Sequence, residues 1–177
     1  MKQILFFLAV TATLTATAQY KPVDQGSAVR FSVNNFGFAV GGTFTGLRGS
    51  IVFDPQHAAD GSFDVSLDAS TVNTDNSLRD SHLKNDGYFD VVNYPRIQLV
   101  SSVLAAGDKA GVYLFTGHLT IKGKTKAVSF PFTVVPVEGG VTFKGAFNIN
   151  RKDFGIGGTS TISNEVKVEL NVAVVKQ

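Results

Sequence analysis

Three clusters of polar residues carry groups capable of chemistry. Arg79-Asp80-Ser81-His82 sets a guanidinium, a carboxylate and an imidazole side by side, with Asp86 and Asp90 following closely. Arg79, Asp80 and His82 suit contact with a ligand's polar head group; they equally suit hydrogen bonds that hold a helix in place. One histidine among carboxylates offers little selectivity for a transition metal, so no metal site is expected. Lys122, Lys124 and Lys126 alternate around Gly123. On one face they would attract a phosphate or an anionic membrane surface. A turn at Gly123 would instead spread them into solvent, where lysines also discourage strand pairing. Arg151, in Asn150-Arg151-Lys152-Asp153, offers a fork for a phosphate. It would equally pair with Asp153 or another carboxylate and pin the last connection.

Signatures of catalysis are missing. The chain has no cysteine, which excludes disulfides, thiolate metal sites and thiol nucleophiles. No G-x-S-x-G elbow and no H-E-x-x-H pair occurs. Asp80, Asp86 and Asp90 fall where caps and turns need such residues. Gly155-Ile156-Gly157-Gly158 lacks the strand–loop–helix context of a nucleotide fingerprint. The expectation is a protein without enzymatic activity or cofactor. The formal net charge of +2 lacks the basic excess of a nucleic-acid binder.

The elements that must position these groups have period two. Val166, Val168, Leu170, Val172 and Val174 alternate with Lys167, Glu169, Asn171 and Ala173. The same alternation runs through Val29–Val33, Phe63–Ala69, Val128–Val134 and Val141–Ile149. Tyr113, Phe115, Leu119 and Ile121 share one face of a long strand, whereas Ile97–Val103 is apolar on both faces in places. Such alternation marks antiparallel strands with one apolar face. One stretch breaks it. Thr74-Asp75-Asn76 supplies N-cap side chains and Asn85-Asp86-Gly87 a stop signal, which predicts a short helix at 76–85. Eight or nine strands with short turns suggest a sandwich or a closed barrel. Gly117 and Gly145 fall among inward positions, where a glycine either leaves room or relieves crowding.

The first residues read as an address. Lys2, the apolar run Ile4–Val10 and the small-x-small Ala16-Thr17-Ala18 fit a secretory signal peptide cut after Ala18. Residues 19–177 would then form one domain, periplasmic or secreted. No later segment is apolar for long enough to span a membrane as a helix.

Several segments together resemble the YceI-like family. They are Gly42-Thr43-Phe44 with Gly49-Ser50-Ile51-Val52-Phe53-Asp54, Asp80-Ser81-His82-Leu83, and Gly87-Tyr88-Phe89-Asp90-Val91. Tyr94-Pro95-Arg96-Ile97, Gly117-His118-Leu119-Thr120-Ile121-Lys122-Gly123 and Arg151-Lys152-Asp153-Phe154-Gly155-Ile156 follow in the family's order. The resemblance implies an all-β fold, an eight-stranded antiparallel lipocalin-like barrel with the one inserted helix near 76–85. It also implies an exported protein that carries a long apolar lipid inside the barrel: a polyisoprenoid, an isoprenoid quinone or a fatty-acid derivative. The alternative is a filled barrel acting as a structural or interaction module of the cell envelope. A homodimer stays open.

On the carrier reading the apolar lining comprises Phe31, Phe44, Phe63, Leu67, Phe115, Leu119, Phe143, Phe147, Val168 and Leu170. Leu83 and Phe89 close one end. Arg79, Asp80, His82 and Arg151 are the head-group candidates.

Overall fold

The described residues form ten strands, where eight or nine were expected: β1 (Gln19–Pro22), β2 (Ala28–Asn35), β3 (Phe38–Phe44), β4 (Arg48–Val52), β5 (Ser62–Asp68), β6 (Arg96–Ala106), β7 (Val112–Ile121), β8 (Lys124–Val137), β9 (Gly140–Asn150) and β10 (Ile162–Lys176). Among the described residues one α-helix, α1 (Ser77–Leu83), interrupts them between β5 and β6. The computed structural model describes residues 18–158 and 161–177. The leader expected at 1–18 lies, Ala18 apart, outside the described residues. The Ala18 carbonyl accepts a hydrogen bond from the Phe53 N–H at 3.1 Å.

Every strand pairing is antiparallel, and β1 pairs with both β4 and β10. The order β1-β4-β5-β6-β7-β8-β9-β10 therefore returns to β1 and closes an eight-stranded barrel, as the resemblance implied. The hairpin β2–β3 attaches to β10 alongside β1 and extends past the ring at one end. Beyond β2, β3 makes an isolated backbone pairing of Thr43 with Asn73.

Local irregularities account for the segments that broke the alternation. The β6–β7 register shifts between Ser101 and Val103. Leu99 and Leu104 are consequently both buried while Val103 is exposed. A bulge turns later residues to the opposite face, which is why Ile97–Val103 reads as two-sided. Gly117 lies beside that shift, and a Cβ there would come within 2.1 Å of the Val100 carbonyl oxygen and 2.8 Å of the Phe115 ring. At Gly145 a Cβ would press on the Phe130 ring at 3.1 Å. Both glycines accommodate neighbouring rings and leave no space of their own.

The predicted helix is shorter than expected, seven residues within 76–85. Asn76 caps it, its side-chain oxygen accepting from the Arg79 N–H at 2.9 Å. No residue of α1 is buried. It and the segment to Pro95 lie across the barrel end where β5 stops and β6 starts. The tie to the barrel is made by backbone: Thr43 and Asn73 exchange hydrogen bonds at 2.8 and 3.0 Å, and Ala69 donates to the Pro95 carbonyl at 2.9 Å.

Candidate functional site

The barrel is filled at one end and hollow at the other. At the filled end, Phe53 meets Tyr113, Phe132 and Phe143 with ring centroids 4.9, 5.6 and 5.6 Å apart. Phe63 meets Phe143 at 5.1 Å and Phe132 at 5.5 Å, mostly in tilted or edge-on geometry. Rings of this size occupy the whole cross-section of an eight-stranded barrel.

Toward the other end the inward residues become smaller. Val29, Val33, Val65, Leu67, Ile149, Val166, Val168 and Leu170 surround a cavity of about 210 Å³. One water needs only about 10–15 Å³, so the space is large, yet its walls are almost wholly apolar. Its floor is the aromatic cluster, with Phe63, Phe130, Phe132 and Phe143 facing it. Its roof is Leu83, Tyr88, Phe89, Arg151 and Ile156. Phe89 stands edge-on to Phe44 at 5.3 Å, and Phe44 leans on Phe31 at 5.5 Å.

Of the residues singled out by sequence, Phe31, Phe44, Phe63, Leu67, Leu83, Phe89, Leu119, Phe143, Phe147, Val168 and Leu170 all line this cavity. Phe115 does not. It is 0% exposed, stacked on Phe130 at 4.8 Å and tilted against Phe63 at 5.9 Å. It sits behind the floor because Phe130 and Phe63 stand between it and the space. Sequence reasoning missed other walls. Val33, Val65, Ile121, Ile149 and Val166 share the inward parity of the candidates on their strands, and Phe130 and Phe132 lie on the apolar face of the alternating Val128–Val134 segment, so alternation alone points to them. Leu47, Tyr88, Ile156 and Ile162 lie at loops or strand ends, where no periodicity points inward.

The polar candidates are mostly committed to holding the roof. One carboxylate oxygen of Asp80 accepts from the Thr74 N–H at 2.9 Å and the Thr74 hydroxyl at 2.5 Å. Arg79 donates from Nε to the Thr74 hydroxyl and from Nη2 to the Thr74 carbonyl, each at 2.7 Å. Thr74 is buried, so these bonds satisfy a polar residue under the lid. His82 is exposed and packs on the Tyr88 ring at 4.8 Å.

Arg151 is 5% exposed. Its guanidinium donates to the carbonyls of Ile156, Gly157, Ile162 and Ser163 at 2.8–2.9 Å. It thus clasps the connection from β9 to β10 through backbone oxygens rather than through Asp153. Gly157 makes this possible: its φ is +63°, and a Cβ there would sit 2.8 Å from Nη1 and 3.1 Å from Tyr88. The three lysines diverge. Lys122 donates to the Gly155 carbonyl at 3.4 Å and to that of Asp86, while Lys124 and Lys126 are exposed. Among the described residues no group of three His, Cys, Asp or Glu side chains is placed to hold a metal. No helix among them is long and apolar enough to cross a membrane.

The family model described as YceI-like domain matches residues 20–174. A UPF0312 protein of Shewanella denitrificans is 30% identical over 85% of this chain and 83% of its own length. A UPF0312 protein of Pseudomonas aeruginosa is 28% identical over the full length of both chains. The crystal structure of BcnA from Burkholderia cenocepacia superposes with a TM-score of 0.79 at 28% identity, covering 84% of this chain and 96% of that one. A polyisoprenoid binding domain from Saccharophagus degradans shares the fold, with a TM-score of 0.69 at 16% identity over 89% and 98% of the two chains.

Proposed function

Because the chain belongs to the YceI-like family, we propose that it is a carrier which holds a long apolar lipid inside its barrel. The observation that carries this reading is the hollow, apolar upper half of the barrel beneath the α1 lid. Solvent water gains little in such a space, because the walls offer few hydrogen-bond partners. Each buried methylene contributes about 0.8 kcal/mol, so ten would supply about 8 kcal/mol before ordering and immobilisation costs. Affinity of that origin follows tail length and needs little polar recognition. It is consistent with a roof whose Arg79, Asp80 and Arg151 are engaged with backbone and Thr74.

The favoured ligand class is a polyisoprenoid, an isoprenoid quinone or a fatty-acid derivative. The Saccharophagus degradans domain shares only the fold with this chain, so the weight of the reading rests on the cavity. The protein acts as a carrier rather than a catalyst. It works in the periplasm or outside the cell, a reading supported by the leader-like pattern of residues 1–18.

The test is native mass spectrometry of the protein purified from its own host, followed by organic extraction. The expected result is a stoichiometric long-chain amphiphile that leaves with the organic phase. Repeated recovery of empty protein that also refuses added isoprenoids would favour a barrel that serves only as an envelope interaction module.

A further inference from the structure

The hairpin β2–β3 turns at Phe36 and Gly37, whose φ angles are +50° and +83°. A two-residue turn with both residues left-handed selects Asn-Gly, and a bulky aromatic there is strained. Phe36 is 74% exposed and Phe38 77%. Two aromatics held at the tip of a projecting hairpin, one of them in a strained backbone, call for a partner outside the chain.

The register says what kind of partner. Val29, Phe31 and Val33 of β2 line the cavity, as does Phe44 of β3. Directly opposite residues of an antiparallel pair share a face. The pairs Val29–Phe44, Val33–Val40 and Asn35–Phe38 therefore place Val40 and Phe38 on the cavity's own face. That apolar face leaves the barrel mouth and runs up the hairpin to its tip. Around the same mouth stand Lys124 and Lys126 at the start of β8, with Lys122 and Lys152, whose ammonium groups already donate to backbone carbonyls; none of the four is within ion-pair distance of a carboxylate among the described residues. Of the carboxylates at this end, Asp80 is turned to the buried Thr74, whereas Asp90 accepts from the exposed Asn93 side chain at the surface. Asp75, Asp86 and Asp153 are exposed, Asp86 and Asp153 beside Lys122 and Lys152, so the positive character is local to Lys124 and Lys126 at the start of β8.

We propose that the hairpin tip docks into the headgroup layer of a lipid bilayer bearing anionic lipids. Phe36 and Phe38 insert, Lys124 and Lys126 face the phosphates, and the apolar face below them guides a lipid tail between bilayer and cavity. Aromatic rings at the interface with lysines close by are a favourable combination for such a surface. The inference deepens the carrier reading by naming where the lipid enters.

The chain contains no tryptophan, so Phe36→Trp introduces a single reporter at the tip. Val137→Trp introduces one at the exposed last residue of β8, at the opposite end of the barrel. Each variant is mixed with vesicles of equal parts phosphatidylglycerol and phosphatidylcholine. Expected is a blue shift of the Phe36→Trp emission and quenching by brominated acyl chains, with no change for Val137→Trp. Adding Lys124→Gln and Lys126→Gln weakens vesicle affinity several-fold. An unshifted tip reporter overturns the proposal, and so does equal quenching at both ends. A tip shift that appears with protein concentration alone also overturns it, since a second copy would then cover the aromatics. Organic extraction of the same preparations separates the two readings. Empty protein whose tip still inserts removes the carrier reading and leaves the docking, whereas loaded protein whose tip ignores vesicles removes the docking alone.

Discussion

Phe130 and Phe147 stack face to face, with centroids 4.5 Å apart and planes at 14°, where the β8–β9 ladder has already ended. The last paired residues are Phe132 and Gly145. Continued by two residues, that register would bring Phe130 opposite Phe147. The rings thus close the barrel wall where backbone hydrogen bonds no longer do, and Gly145 beside them leaves Phe130 the room to lie flat. With Phe115 stacked on the far side of Phe130, three strands are bridged by one aromatic pile.

This arrangement sets a first prediction. Phe130→Ala should destabilise the fold by about 3–5 kcal/mol, as for other buried phenylalanines. Phe147 is only half-buried, so Phe147→Ala should cost less. A double-mutant cycle read by chemical denaturation should return a coupling of about 0.5–1.5 kcal/mol for the stack. Additive single effects would mean that the two rings close nothing together.

Leu119 faces the cavity and Phe115 sits behind its floor, so the two should separate binding from stability. Leu119→Trp fills the space and should abolish co-purifying lipid in a protein that still folds. Phe115→Leu should lower stability by about 1–2 kcal/mol, through lost packing, and leave lipid retention unchanged. Lipid content by extraction and thermal melting together check both. Full lipid retention in folded Leu119→Trp would place the tail elsewhere.

Arg151 is a structural clasp, and its replacement should reveal that. Arg151→Ala strands several buried carbonyls at once and should cost about 3 kcal/mol or more. Arg151→Lys should recover little of it, because one ammonium cannot reproduce a planar fork reaching carbonyls on both sides. Protease cleavage between β9 and β10 is the readout. A connection as resistant in the alanine variant as in the parent chain would contradict the clasp.

His57 and Asp54 form a pH-sensitive pair on the surface, with Nδ1 and Oδ2 2.9 Å apart. The hydrogen bond to Asp54 raises the imidazole above its usual value, and the same bond holds the Asp54 carboxyl below its own. A raised imidazole stabilises the folded state fully below about pH 6.5 and loses that contribution as pH climbs through the folded value. A lowered carboxyl contributes above its unfolded value and loses the contribution as pH falls through the folded one. The pair is therefore most stabilising at mildly acidic pH, and modestly, since both groups are solvated. In an NMR titration Asp54→Asn should move the His57 midpoint down. An unmoved midpoint would show that the contact is not made in solution.

Much of this was readable in advance because a strand's period of two is a local property. Val166 to Val174 and Phe143 to Ile149 declare their inner faces without reference to any other strand. Asn76 likewise declares a helix start, since the cap acts within three residues. The bulge at Ser101–Val103 was not readable, because it exists only relative to β7. Nor were the partners of Arg151: that it could pin the last connection was legible, but the carbonyls it holds lie on a connection with no periodicity.

By itself, then, the sequence determined antiparallel strands with one apolar face, since alternation and turn chemistry act over a few residues; it left sandwich and barrel both open, and the barrel was implied only by the family resemblance. Only the tertiary structure decided that the interior is hollow in one half. Phe53, Tyr113, Phe132 and Phe143 come to one level of the barrel through strand register, and there their volumes fill the cross-section. The valines and leucines of β2, β5 and β10 come to the other level, where the hairpin departs and the ladder between β8 and β9 ends. Side chains of that size leave the space between the walls unfilled, and which residues share a level is a relation between strands that no single segment contains.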